Sequence, residues 1–163
     1  MTDDDNFLVF ASIGAMLMVA GGLYRPLAKR LPETKLLATG LVILILGFVG
    51  IGAVAWLLHR DTVAGLAPSD WLRGLFYAGS AAAVAGFAFV NPSVSALISK
   101  RSDPARQGEV LGVNQSFASL GRILGPFAGS MLFALHPSRT LPYVAAVATL
   151  CYVATLLPRV SRK

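Results

Sequence analysis

An arginine inside an apolar run is the most expensive residue of this chain. Arg122 stands twelve positions after Val110, roughly 18 Å along a helix that rises about 1.5 Å per residue. That depth lies well inside a hydrocarbon layer of about 30 Å. Placing a guanidinium there costs roughly 2.5 to 3.5 kcal/mol on insertion scales, so it must face protein or a water-filled cavity. Two chemistries fit: contact with a substrate, an anion or a gating group, or a structural arginine bonding helix carbonyls and polar neighbours. No acidic residue falls within an apolar run of this chain, so any carboxylate partner must come from elsewhere.

Gln115, Ser119 and Arg122 follow one another at spacings of four and three, which puts them on one helix face. Asn114 and Ser116 add polarity to the same stretch. Such a stripe either lines a cavity or makes inter-helix hydrogen bonds, worth about 0.6 kcal/mol each. Gly121, Gly125 and Gly129 recur every four residues, the spacing at which small residues let two helix backbones approach. Pro126 removes a backbone donor beside them and is expected to bend the helix. Asn91 and Pro92 interrupt a second apolar run; Pro92 frees the carbonyl four residues earlier, which Ser93, Ser95 or Asn91 can satisfy. That polar break is either a gate or cavity contact, or a local repair of the helix.

Catalysis has no visible apparatus. The chain shows no nucleophile–base arrangement, no phosphate-binding loop and no metal-spaced cluster. One cysteine, Cys151, and two histidines, His59 and His136, are too few for a disulfide framework or a typical zinc site. No enzyme activity, metal or cofactor is therefore expected.

The elements that position these residues follow from composition. Of 163 residues, 55% are hydrophobic and 13% charged, against about 25% charged in soluble domains. With a mean hydropathy of +0.67, a soluble core could not hide this much apolar side chain. A net charge of +6 would suit nucleic acid if it formed a face, but the basic residues sit in short segments between apolar runs, a pattern of membrane topology. Runs of about 17 to 25 apolar residues are long enough to cross a bilayer. Five are present, over 7–24, 36–58, 74–99, 110–135 and 141–157. The expectation is an all-α membrane protein of five transmembrane helices in one domain. The third and fourth, long and proline-bearing, are expected to tilt or kink. Trp56, Trp71 and Tyr143 near the span ends read as interfacial anchors, His59 and His136 as solvated.

Alternate loops differ in Lys and Arg content. Arg25, Lys29, Arg30, Lys35, Lys100, Arg101, Arg106, Arg159, Arg162 and Lys163 lie on one side, and Arg60, Arg73 and Arg139 on the other. Ten against three places the first loop, the third loop and the C-terminus in the cytoplasm and the N-terminus outside. An outside start after only an acidic stub is expected of a piece of a longer protein.

Two stretches carry a resemblance. Gly22-Leu23-Tyr24-Arg25-Pro26-Leu27-Ala28-Lys29-Arg30-Leu31-Pro32-Glu33 is similar to the basic loop that recurs between the second and third helices of each half of a major facilitator superfamily transporter. Pro32 stands where that family usually has glycine. Gly108-Glu109-Val110-Leu111-Gly112, continuing through Ser116, Ser119, Leu120 and Arg122 to Gly125-Pro126-Phe127-Ala128-Gly129, resembles the family's eleventh helix in its drug and tetracycline efflux branch. Its Gly-Pro-x-x-Gly resembles the antiporter signature of the fifth helix.

The resemblance implies a partial major facilitator fold: helices eight to twelve, the C-terminal six-helix bundle without its first helix. It implies part of a secondary active transporter of the bacterial inner membrane. The activity would be proton-coupled efflux of drug-like or amphipathic small molecules, including multidrug resistance, by rocker-switch alternating access, and the piece would be inactive without an N-terminal half supplied in the same or a separate chain. Arg122, Gln115, Ser119 and Asn91 would face the substrate cavity; Gly121, Gly125, Pro126 and Gly129 would pack and bend the helix; Gly22, Arg25, Lys29, Arg30 and Glu33 would form the cytoplasmic loop motif. The partners expected are the lipid bilayer, a small-molecule substrate and the other half, with no nucleic acid. A different class stays open: a stand-alone five-helix protein that assembles with or regulates another integral membrane protein.

Overall fold

The computed structural model describes residues 3–67 and 69–161. Five helices follow one another: α1 (Asp3–Ala28), α2 (Glu33–Val63), α3 (Trp71–Arg101), α4 (Gln107–Leu135) and α5 (Leu141–Ser161), with a 3-10 turn at Pro104–Arg106 before α4. There is no strand among the described residues. All five are long and apolar enough to cross a membrane. In hydrocarbon each backbone N–H and C=O must be satisfied within its own segment, which leaves the helix as the open-chain solution.

The helices run past the apolar stretches that nucleate them. The connection expected over His59–Arg73 shrinks to the residues between Val63 and Trp71. Arg60 and Asp61 neutralise each other at 2.9 Å, and Arg60 lies 5.8 Å from the Trp56 ring centroid. With its charges paired, this polar turn stays helical. α2 stops where Gly65 takes φ +69°, a left-handed conformation that costs glycine little. Leu66 N–H reaches the Asp61 carbonyl at 2.9 Å and Gly65 N–H the Thr62 carbonyl at 3.1 Å, the two bonds of a Schellman cap.

α2 and α3 make the closest pair; α1 lies against α3 and α5 against α2, while α4 touches α3 and α5 only thinly. The α2–α3 seam has a period of seven. On α3 the buried residues are Leu72, Gly79, Gly86 and Ser93. On α2 they include Gly40, Gly47, Val54 and Asp61, with Leu37 and Leu44 alongside. A seven-residue repeat keeps a seam facing its partner when two helices wrap left-handedly. The helices are antiparallel: Gly40 meets Gly86, and Gly47 meets Gly79 and Ala83. The same register sets Val54 level with Leu72.

Glycine is required at these crossings. A methyl built on Gly86 would lie 2.7 Å from the Gly40 carbonyl oxygen and 2.8 Å from the Leu44 Cα. The lipid supplies no hydrophobic force between helices, so close backbone packing carries the association.

The hydroxyls around Pro92 differ from expectation. Ser93 donates its hydroxyl to the Tyr24 hydroxyl at 3.3 Å, and Ser95 donates to the Asn91 carbonyl at 3.2 Å. Each serine has a single O–H, so neither is spent on the Ala88 carbonyl that Pro92 leaves free. α3 stays helical through this point.

Candidate functional site

The polar stripe of α4 is carried on the helix with no buried residue. Residues 119–128 are exposed without a break. Arg122, Gln115 and Ser119 stand on this open stretch and its approach, all three exposed, while Asn114 is half-covered. Ser116 turns its hydroxyl back to the Gly112 carbonyl at 3.0 Å, and Ser130 to the Pro126 carbonyl at 2.8 Å, so those two spend their donors on α4 itself. Asn91 is exposed on α3. No hydrogen bond among the described residues joins it to the stripe.

Gly121, Gly125 and Gly129 have nothing within 4 Å of where a Cβ would stand. Within these five helices the close backbone-to-backbone glycine packing is made by Gly40, Gly47, Gly79 and Gly86, because none of the described helices lies along the middle of α4. Arg122 thus stands in the middle of α4 on a face that the described residues leave uncovered. Left against lipid, it would carry the full insertion penalty.

The basic loop between α1 and α2 sits at one end of the helices. Gly22, Arg25, Lys29 and Arg30 are exposed; α1 continues through Arg25 and Pro26 to Ala28, and the chain turns at Lys29–Arg30. Glu33 opens α2 and pairs with Lys100 at the far end of α3. Beside it, the Tyr24 ring meets Phe89 edge-on, centroids 6.0 Å apart at 75°, and the Tyr24 hydroxyl takes the Ser93 bond. The ends of α1 and α3 and the start of α2 are knit together here. The loop before α4 is held by Arg106, which donates to both Glu109 oxygens at 2.8 and 2.9 Å. The Gln107 amide donates to the Ser99 carbonyl at 3.1 Å.

One feature was not read from the sequence. At the α2–α3 loop end lies a cavity of about 420 Å³. Its walls come from α2, α3, α4, α5 and the loop before α5. His59 and Tyr143 line it and are half-buried, where helix α5 packs on α2. His136 is also engaged, its Nδ1 lying 2.8 Å from the Ser138 hydroxyl. Five separate segments build this cavity, so no local spacing announces it.

Among the described residues no group of His, Cys, Asp and Glu could hold a metal ion. The family profile described as Major Facilitator Superfamily matches residues 6–163. No curated protein and no solved structure matches the chain.

Proposed function

The chain belongs to the major facilitator superfamily of membrane transporters, and from that premise we propose that it is the C-terminal-half portion, helices eight to twelve, of a proton-coupled exporter of drug-like or amphipathic small molecules. A multi-pass membrane position follows from the five apolar helices and the family. The finer reading rests on one observation: Arg122 projects from the exposed middle of α4, with Gln115 and Ser119 beside it. A second helical half covering that face would turn the stripe into the wall of a midplane cavity. The two halves would then rock about the site to expose it to each side in turn.

In this reading Arg122 contacts the solute or a group that gates it, Gln115 and Ser119 supply neutral hydrogen-bonding partners, and Asn91 contributes from α3. Gly121, Gly125 and Gly129 leave room for close approach of the covering half, and Pro126 lets α4 bend. The chain lies in the bacterial inner membrane with α1 starting outside and α5 ending in the cytoplasm.

The test is accumulation of a fluorescent amphipathic dye in cells carrying the whole transporter, with and without a protonophore. Arg122→Ala is expected to abolish efflux at unchanged membrane abundance. Full efflux by that variant would remove Arg122 from the cavity. An immunoblot of native membranes against the Arg159–Lys163 segment separates this reading from a five-helix subunit. A band well above twice 17.1 kDa supports the transporter, and a band near that mass the subunit.

A further inference from the structure

We propose that the cavity at the α2–α3 loop end binds an amphipathic monoanion, an apolar body carrying one carboxylate or phosphate. The proposal stands independently of transport and concerns a place remote from the α4 stripe. A volume of about 420 Å³ falls in the range of roughly 300 to 1,000 Å³ typical of small-molecule pockets. Ile51, Val54, Phe76 and Phe133 supply an apolar wall, suited to a hydrocarbon or aromatic body.

The polar groups set the charge. Thr62 spends its hydroxyl on the Leu58 carbonyl at 2.7 Å, and Ser138 shares its own with His136 and Thr140 at 2.8 Å. Arg139, His59 and Tyr143 also line the cavity, and their side chains make no hydrogen bond or ion pair among the described residues. They offer a guanidinium, an imidazole and a phenol. Among the described residues no carboxylate lines the cavity, and nearby Asp61 is taken by Arg60 at 2.9 Å. A positive, acceptor-poor lining favours an anion over a cation or a neutral solute.

Arg139 is also held in place. Its guanidinium carbon sits 5.1 Å from the Phe133 ring centroid, an attraction that orients the charge without neutralising it. Its backbone takes φ +55°, a conformation non-glycine residues rarely adopt. The turn enforces it: Arg139 N–H bonds the His136 carbonyl at 2.9 Å and Ser138 N–H bonds the His136 ring at 3.2 Å. Strain kept by surrounding hydrogen bonds is characteristic of ligand clamps.

The experiment is equilibrium binding of 4-phenylbutyrate to the full chain in phosphatidylcholine nanodiscs, with 4-phenylbutanol as the neutral counterpart. The acid is expected to bind saturably, one per chain, and at least tenfold tighter than the alcohol. Arg139→Gln should erase that difference, and Arg139→Lys should keep most of it. Equal binding of acid and alcohol to the unaltered protein overturns the proposal, as does Arg139→Gln binding the acid as tightly as the unaltered chain. Adding phosphatidylglycerol to the nanodiscs identifies the source of the anion. Displacement of the probe assigns the site to a lipid headgroup; undiminished binding assigns it to a soluble organic acid.

Discussion

Gly47 and Ala83 meet backbone to backbone: a methyl group built on Gly47 would lie 2.7 Å from the Ala83 Cα and 2.8 Å from the Gly79 carbonyl oxygen. Neither neighbour is a flexible side-chain end that can swing aside. Gly47→Ala is therefore expected to force α2 and α3 apart, at the roughly 1 to 3 kcal/mol usual for overpacking. Gly74→Ala, on open surface of the same pair, should be neutral or gain up to about 1 kcal/mol from helix propensity. Thermal unfolding of the purified chain compares the two; a Gly47→Ala protein as stable as the unaltered one contradicts the seam.

The Tyr24–Ser93 hydroxyl pair makes a sharper prediction. Ser93 is fully buried, so Tyr24→Phe strands its O–H without an acceptor, at about 1 to 3 kcal/mol. Ser93→Ala on top of Tyr24→Phe should recover part of that loss, because no polar group then stays unpaired. A double-mutant cycle reads the coupling, and strict additivity would show that the bond carries nothing.

The Glu33–Lys100 pair is expected to matter less. Lys100 is 64% exposed, and exposed ion pairs contribute about 0.2 to 1 kcal/mol and are screened by salt. Lys100→Glu should lower stability by a similar amount, and adding Glu33→Lys should restore it at low salt and not at high salt.

Topology is checked by labelling. In a Cys151→Ser background, Leu31→Cys should react with an impermeant maleimide only from the cytoplasmic face of inverted vesicles. Ala64→Cys should react only from outside intact cells. Both positions are exposed in the loops at opposite ends of α2. The reverse pattern would turn the protein over and void the ten-against-three argument.

Just past the end of α2, Gly65→Ala places a Cβ at φ +69° and should cost about 1 to 2 kcal/mol. Gly65→Asn should cost less, since asparagine tolerates that region. Equal losses for the two would point away from backbone strain.

The five helices were legible because apolar runs of membrane length are a property of consecutive residues. Their ends were not: Arg60 and Asp61 read as loop until paired, and pairing depends on their side chains folding back on one turn. The stripe of Gln115, Ser119 and Arg122 could be read from spacing alone, since one helix carries all three. The seam could not, although Gly40, Gly47, Gly79 and Gly86 stand in plain view at intervals of seven. Glycines at that spacing face each other only once two spans have an agreed register, and register is a tertiary fact. The Tyr24–Ser93 bond, between residues 69 positions apart, was hidden for the same reason, and the cavity more so.

The uneven packing of these helices sets what a saturation mutagenesis screen would record. Scored for protein abundance, α2 and α3 should show intolerance at every seventh residue, a ladder running from Gly40 to Val54 and from Leu72 to Ser93. Over 119–128 of α4, exposed within these five helices, the same score for the chain by itself should be almost blank. In the whole transporter proposed above, scored instead for resistance to a toxic solute, that stretch should become the loudest, and Arg122 should separate most widely between the two maps.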